Sequence, residues 1–159
     1  FTLPAREGVN GVVFSSMPLN YNGTLIENFS LTFEKGRIVD FKAEKGYETL
    51  KRLIETDEGS HYLGEIALVP YDSPISNMKI LFYNTLFDEN ASCHLAIGKA
   101  YPVCLEGSEG MSKEELEAAG VNDSLIHVDF MFGTSDLEIE GLLHNGETIA
   151  IFKEGNFAF

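Results

Sequence analysis

Positive charge is scarce in this chain. Lys and Arg number 11 against 25 Asp and Glu, a formal net charge of −14. A field of that sign repels phosphate backbones and anionic lipid, which argues against nucleic acid and membrane surfaces as partners. Long apolar runs are missing too; none approaches the roughly 20 residues that span a bilayer. No basic, then apolar, then small-residue leader opens the sequence, so no signal peptide is expected. Cysteine is nearly absent. Cys93 and Cys104 are the only two, and neither sits in a Cys-x-x-Cys or similar zinc spacing. Both are expected to be buried, inert thiols of a reduced, cytoplasmic protein. There is no internal repeat, no low-complexity tract, no glycine-rich phosphate loop and no His-Glu-x-x-His motif. What is present is 159 residues, 44% of them hydrophobic, enough for one domain over residues 1–159 with its own core.

Hairpin signals dominate the pattern. Gly11–Ser16 reads as a short strand, followed by turn signals at Met17-Pro18 and Asn22-Gly23. Glu27–Phe33 and Ile38–Phe41 alternate around Glu34-Lys35-Gly36-Arg37, a hairpin with Phe29, Leu31 and Phe33 on one face and Ser30 and Thr32 on the other. The period then changes. Tyr47, Leu50, Leu53 and Ile54 recur at helical spacing within residues 46–56, and Asp57-Glu58-Gly59-Ser60 stops that helix. Ser112 and Glu115 form a capping box ahead of a short helix that Gly120 ends. Leu137–Leu143 and Thr148–Phe152 flank His144-Asn145-Gly146-Glu147, a second hairpin whose Asn-Gly pair is a type I′ signal. His144 and His61 are expected in exposed turns, and Glu154-Gly155-Asn156 marks another turn. The sum is α+β: a mostly antiparallel or mixed sheet, able to curl toward a barrel, with two or three inserted helices.

Against this background three apolar segments carry polar residues that a core would not choose. Glu65 interrupts the strand Leu63–Val69; it is either an edge residue facing water or an internal ligand, and burial statistics favour the edge. Glu89, His94 and Tyr101 fall within Leu81–Tyr101. From Ala91 onward that segment reads as helix, with Glu89 at its entry and His94 and Tyr101 on one face two turns apart. Residues 125–133 alternate strictly, so Ile126, Val128, Phe130 and Phe132 point one way and His127, Asp129 and Met131 the other. His127 and Asp129 are then neighbours, as a shared metal site or an acid–base pair requires; a half-exposed strand would carry the same pattern. Each intrusion is weak alone. Together they supply three carboxylates and two imidazoles, the ligand kit of a dinuclear zinc, cobalt or manganese hydrolase.

The same stretches carry a resemblance. GEIALVPYDSPIS (64–76), LFYNTLFDENASCHLAIGKAYP (81–102), IHVDFMFG (126–133) and GLLHNGETIAIFKEGNFAF (141–159) closely resemble the thermophilic metalloaminopeptidase family, the aminopeptidase T, AmpS and PepS type. The resemblance implies the C-terminal catalytic portion of a longer, homodimeric enzyme. Such an enzyme holds two divalent metal ions and releases N-terminal residues from peptide substrates with a metal-activated water. It implies Glu65 as a metal ligand in the bridging position and a candidate proton shuttle. Glu89, His94, His127 and Asp129 would be further ligands, and Tyr101 would steady the transition state. Members of the family add a glutamate ligand from a segment before their FTLP-like run, and that glutamate has no counterpart here. Two alternatives stand beside this reading: a truncated, non-catalytic metal-binding or dimerisation module, and a metal-dependent hydrolase of other amides or esters.

Overall fold

The computed structural model describes residues 1–159. Its ten strands lie in three open antiparallel sheets, joined by four short α-helices and three 3-10 turns. The α+β expectation holds; the strands do not close into a barrel. No helix is long and apolar enough to cross a membrane.

The first sheet is built on β3 (Thr24–Glu34), which pairs with β1 (Gly11–Phe14) and β2 (Leu19–Tyr21) along one edge and with β4 (Arg37–Lys45) along the other. Two-residue turns make its hairpins. Asn22-Gly23 and Lys35-Gly36 all have positive φ, the type I′ geometry that matches strand twist. β2 is a strand that the turn signals around it concealed. The faces of β3 follow the alternation: Phe29, Leu31 and Phe33 are buried, and Ser30 and Thr32 are half-buried on the other side. Helix α1 (Tyr47–Ile54) follows and buries Leu50, Leu53 and Ile54, while Tyr47 stays largely exposed.

The second sheet has the order β5 (Leu63–Ala67), β6 (His94–Gly98), β7 (His127–Met131). Here the structure corrects the sequence. The stretch after Ala91 is a strand, not a helix. Its alanines favour helix weakly, but Leu95 and Ile97 alternate with His94, Ala96 and Gly98, and pairing on both sides settles the outcome. Leu63, Leu95, Ile97, Val128 and Phe130 of this sheet join the first sheet and α1 in one buried cluster of 14 residues. Phe29 meets Phe130 at 5.3 Å between ring centroids across the interface. With one face committed to that core, the opposite face of all three strands is left for polar side chains.

Between β5 and β6 the chain makes α2 (Pro74–Met78) and α3 (Thr85–Asp88), then a 3-10 turn over Glu89–Ala91. Helix α4 (Lys113–Ala118) carries the expected capping box, Ser112 with Glu115. The third sheet, β8 (Ile139–Leu142), β9 (Thr148–Lys153) and β10 (Asn156–Phe157), packs through Phe152 and through Tyr71 N–H donating to the Gly155 carbonyl at 2.7 Å. The β8–β9 connection is wider than a type I′ turn: Gly146 alone has positive φ, and Leu143 closes on Glu147 at 2.8 Å. Glu154-Gly155, both left-handed, form the tight turn instead. His144 is exposed as expected. His61 is not: it is half-buried, its Nδ1 has no partner, and burial together with the nearby Arg37 charge holds its pKa below the imidazole range. Cys93 is buried, its thiol donating to the Val69 carbonyl at 3.4 Å; Cys104 is half-buried, and both are free thiols.

Candidate metal centre

The outer face of the second sheet gathers the polar intrusions. Register places Ala96 opposite Glu65 on one side and opposite Asp129 on the other, and His127 opposite Gly98 one step along. Directly paired residues share a face, so Glu65, His94, His127 and Asp129 all point the same way. Glu65 is 7% exposed, although β5 lies at the sheet edge. The expected water-facing glutamate is therefore buried. The turn from α3 into Glu89–Ala91 packs against β7 and lines the same cavity as Glu65.

Glu65 reaches both imidazoles. Its Oε1 lies 3.5 Å from His94 Nε2 and its Oε2 3.6 Å from His127 Nε2. Asp129 Oδ1 lies 3.4 Å from the same His127 nitrogen. The other ring nitrogens are taken by backbone: His94 Nδ1 meets the Ser92 carbonyl at 3.2 Å and His127 Nδ1 the Lys99 carbonyl at 2.7 Å. A carbonyl accepts only, so each Nδ1 carries the proton and donates it. Each Nε2 is thereby aimed at the carboxylates, the outer-shell arrangement that orients ligating histidines. One ligand atom each from Glu65, His94 and Asp129 lies within 4.8 Å of the others.

Glu89 arrives from elsewhere. It ends α3 and opens the 3-10 turn, rather than entering a helix that contains His94. Its carboxyl hydrogen-bonds Asp129. Burial, then the Asp129 charge, that hydrogen bond and Glu65 push its pKa to about 7. Burial would lower the His127 pKa, but the hydrogen bonds to Asp129 and to the Lys99 carbonyl outweigh it and hold the imidazole above its ordinary value. Tyr101 reaches the site without the helix expected for it. It follows β6 and precedes a 3-10 turn at Pro102–Cys104, and its ring centroid sits 4.7 Å from that of His127. Burial and the negative charge of Asp129, Glu65 and Glu89 raise its pKa, so the hydroxyl keeps its proton.

All six residues line one cavity of about 410 Å³. The rest of its wall is Phe1, Ala67, Leu68, Val69, Leu86 and Asn90, with no lysine or arginine. Sequence reading missed the apolar wall. Its signal was the spacing of Leu86, Glu89 and Asn90 at i, i+3 and i+4, one face of a helical turn. Two buried carboxylates and a half-buried third, facing two imidazoles with no basic side chain to balance them, form a site suited to a cation.

Comparison with known proteins agrees with this chemistry. The family described as thermophilic metalloprotease (M29) matches residues 1–157. The chain belongs to the thermophilic metalloprotease family. It is 64% identical over 159 residues to aminopeptidase AmpS of Bacillus subtilis, covering 100% of this chain and 39% of that protein. It is 46% identical over 157 residues to aminopeptidase T of Thermus thermophilus, covering 99% and 38%. The solved structure of wild-type AmpT from Thermus thermophilus superposes with a TM-score of 0.91 at 44% identity, covering 99% of this chain and 38% of that one. The chain thus spans under two fifths of the length of these metalloprotease relatives.

Proposed function

We propose that this chain is the metal-binding catalytic portion, C-terminal in the intact protein, of an aminopeptidase that releases N-terminal residues from peptides. One observation carries the reading: Glu65, Glu89, His94, His127 and Asp129 converge on a cavity with no basic side chain, in a chain whose family is a metalloprotease family. The donor set fits divalent metal. Oxygen and imidazole nitrogen suit zinc, cobalt or manganese, and the buried carboxylates supply the negative charge such ions need. Those five residues would hold two ions, and Glu65 already turns one oxygen toward each imidazole. When bound, the metal would polarise the scissile carbonyl and lower the pKa of water toward about 7.

The chain's own groups do the rest. The acidic wall attracts the free α-amine of a peptide, which selects chain ends. Glu65 lines the same cavity and takes the proton from the attacking water for transfer to the leaving amine. Tyr101 donates its retained hydroxyl proton as a hydrogen bond to the developing oxyanion. His94 and His127 keep their orientation through the Ser92 and Lys99 carbonyls. The free thiols Cys93 and Cys104 suit a reducing compartment, so the reading places the enzyme in the cytoplasm, as a homodimer by analogy with the family.

The test is leucyl-p-nitroanilide hydrolysis by the intact protein with Zn²⁺ or Co²⁺, with and without chelator, alongside Glu65→Gln and His94→Ala. Both variants are expected to lose bound metal and at least about 100-fold in rate. Unchanged metal content and rate in both would sink the site assignment.

A further inference from the structure

The cavity is amphipathic by construction. One wall is the ligand cluster on the outer face of β5, β6 and β7. Much of the remaining lining is apolar and includes Leu68 and Val69 beyond the end of β5, and Leu86 from α3. Leu86 is 74% exposed, although it lies one helical turn before Glu89. Asp88 and Glu89 both keep right-handed helical dihedrals, so the turn runs unbroken from α3 into the 3-10 segment. Leu86, Glu89 and Asn90 therefore share one face, and Asn90 Nδ2 donates to the Leu86 carbonyl at 3.0 Å.

The turn is held in place before anything binds. The buried Asp88 carboxylate accepts the N–H of Phe82 at 2.8 Å and of Asn84 at 3.1 Å. Asn84 caps α3 by accepting the Leu86 N–H at 3.1 Å. An exposed leucine on a fixed turn beside a charged cluster loses little entropy when an apolar group covers it.

We propose that Leu86, with Leu68 and Val69, is the specificity-determining wall for the first residue of the substrate, and that it selects an apolar side chain of leucine or phenylalanine size. This rests on the aminopeptidase reading. A group that presents an amine to the carboxylates has its α-carbon beside them. Its side chain must then leave the ligand cluster, and the lining outside that cluster offers Leu86, Leu68 and Val69 as apolar contacts. An acidic first residue would set its carboxylate against Leu86, Leu68 and Val69, where no basic side chain of the cavity can pair it.

Two readouts test it on the metal-loaded intact protein. The first is the ratio of kcat/KM for leucyl- over alanyl-p-nitroanilide. The second is the ratio of calorimetric affinities for free L-leucine over L-alanine. Leu86→Ala is expected to lower both ratios about 10-fold, the scale of a few lost methylene contacts in an open apolar pocket, while Leu86→Met keeps them. Leu86 is exposed, so both variants are expected to fold, and circular dichroism checks this. Ratios unmoved by Leu86→Ala, an equal loss on both substrates, or equal binding of leucine and alanine by the unaltered protein would each overturn the proposal. If no amide is hydrolysed but leucine is still preferred and Leu86→Ala abolishes the preference, the apolar wall stands and the aminopeptidase reading fails. Hydrolysis with ratios insensitive to Leu86 does the reverse: the aminopeptidase reading stands and the apolar wall fails.

Discussion

Glu89 and Asp129 are two carboxyl groups that share a hydrogen bond across the cavity, one from the turn after α3 and one from β7. Burial first, and then the Asp129 charge, push the Glu89 pKa up to about 7. The sign of the pH dependence follows. A carboxyl whose pKa is raised on folding penalises the folded state once it is charged. The penalty opens above the ordinary carboxylate range and is complete above about 7. His127, raised for its own reasons, stabilises fully below the usual imidazole value and less as pH rises through its folded value. Both groups act in one direction.

Metal-free protein is therefore expected to melt at lower temperature at pH 8 than at pH 5.5. Added Zn²⁺ should erase most of the difference, because the cation replaces the shared proton. Glu89→Gln should flatten the metal-free dependence and weaken metal binding. Melting curves with chelator and with metal check this; a metal-free midpoint that rises with pH would contradict the assignment.

Ala96 makes room for the cluster. It is fully buried, and its Cβ faces Glu65 on one neighbour and Asp129 on the other. A leucine there would be a wedge between two side chains about 5 Å away on each side. Ala96→Leu is expected to destabilise by about 1–3 kcal/mol through overpacking and to cut bound metal sharply. Ala96→Gly should keep the metal at a smaller loss of stability. Metal content by mass spectrometry after dialysis decides; full occupancy in Ala96→Leu would show that the ions sit farther out.

The strand alternation in His127–Met131 was legible because each residue type matched its side of the sheet: Val128 and Phe130 inward, His127 and Asp129 outward. The β3–β4 hairpin was legible for the same reason, with Lys35-Gly36 fixing the turn. His94–Gly98 reads falsely as helix because two alanines among its neighbours mimic one, and its pairing partners lie about 30 residues away on each side. Gly98 was the clue. Its φ is +102°, and a Cβ there would meet the Ile126 carbonyl oxygen at 2.2 Å, so it marks a close strand approach rather than a weak helix position. The buried state of Glu65 was hidden because the α3 turn that lines its cavity is placed by Asp88 and Asn84 through hydrogen bonds that no hydrophobic period encodes.

Asp57 joins two segments behind the metal face. Burial raises its carboxyl, but the Leu125 N–H at 2.6 Å, the Ser124 hydroxyl at 2.8 Å and the Ser60 N–H at 2.8 Å outweigh burial and hold its pKa below the usual range. A depressed carboxyl contributes stability above its unfolded pKa and loses it as pH falls through the folded value. Asp57→Ala is expected to destabilise by about 1–3 kcal/mol at pH 7. The gap from the parent should narrow below about pH 4. Denaturant titrations at both pH values measure it; a gap that widens in acid would reverse the sign argued here.

Tyr101 separates orientation from chemistry. Its ring packs against His127, and at 42% exposure it stands at the cavity mouth with a free hydroxyl. Phenylalanine keeps the ring and removes only the donor. If the hydroxyl meets the oxyanion, Tyr101→Phe should lower kcat by about 100- to 1,000-fold with KM and metal content nearly unchanged. If the tyrosine serves only to hold the His127 ring, Tyr101→Phe should be close to the parent and Tyr101→Ala should lose metal. Running both variants beside metal analysis tells the two roles apart. A KM effect alone in Tyr101→Phe would move the hydroxyl from the transition state to ground-state binding of the peptide.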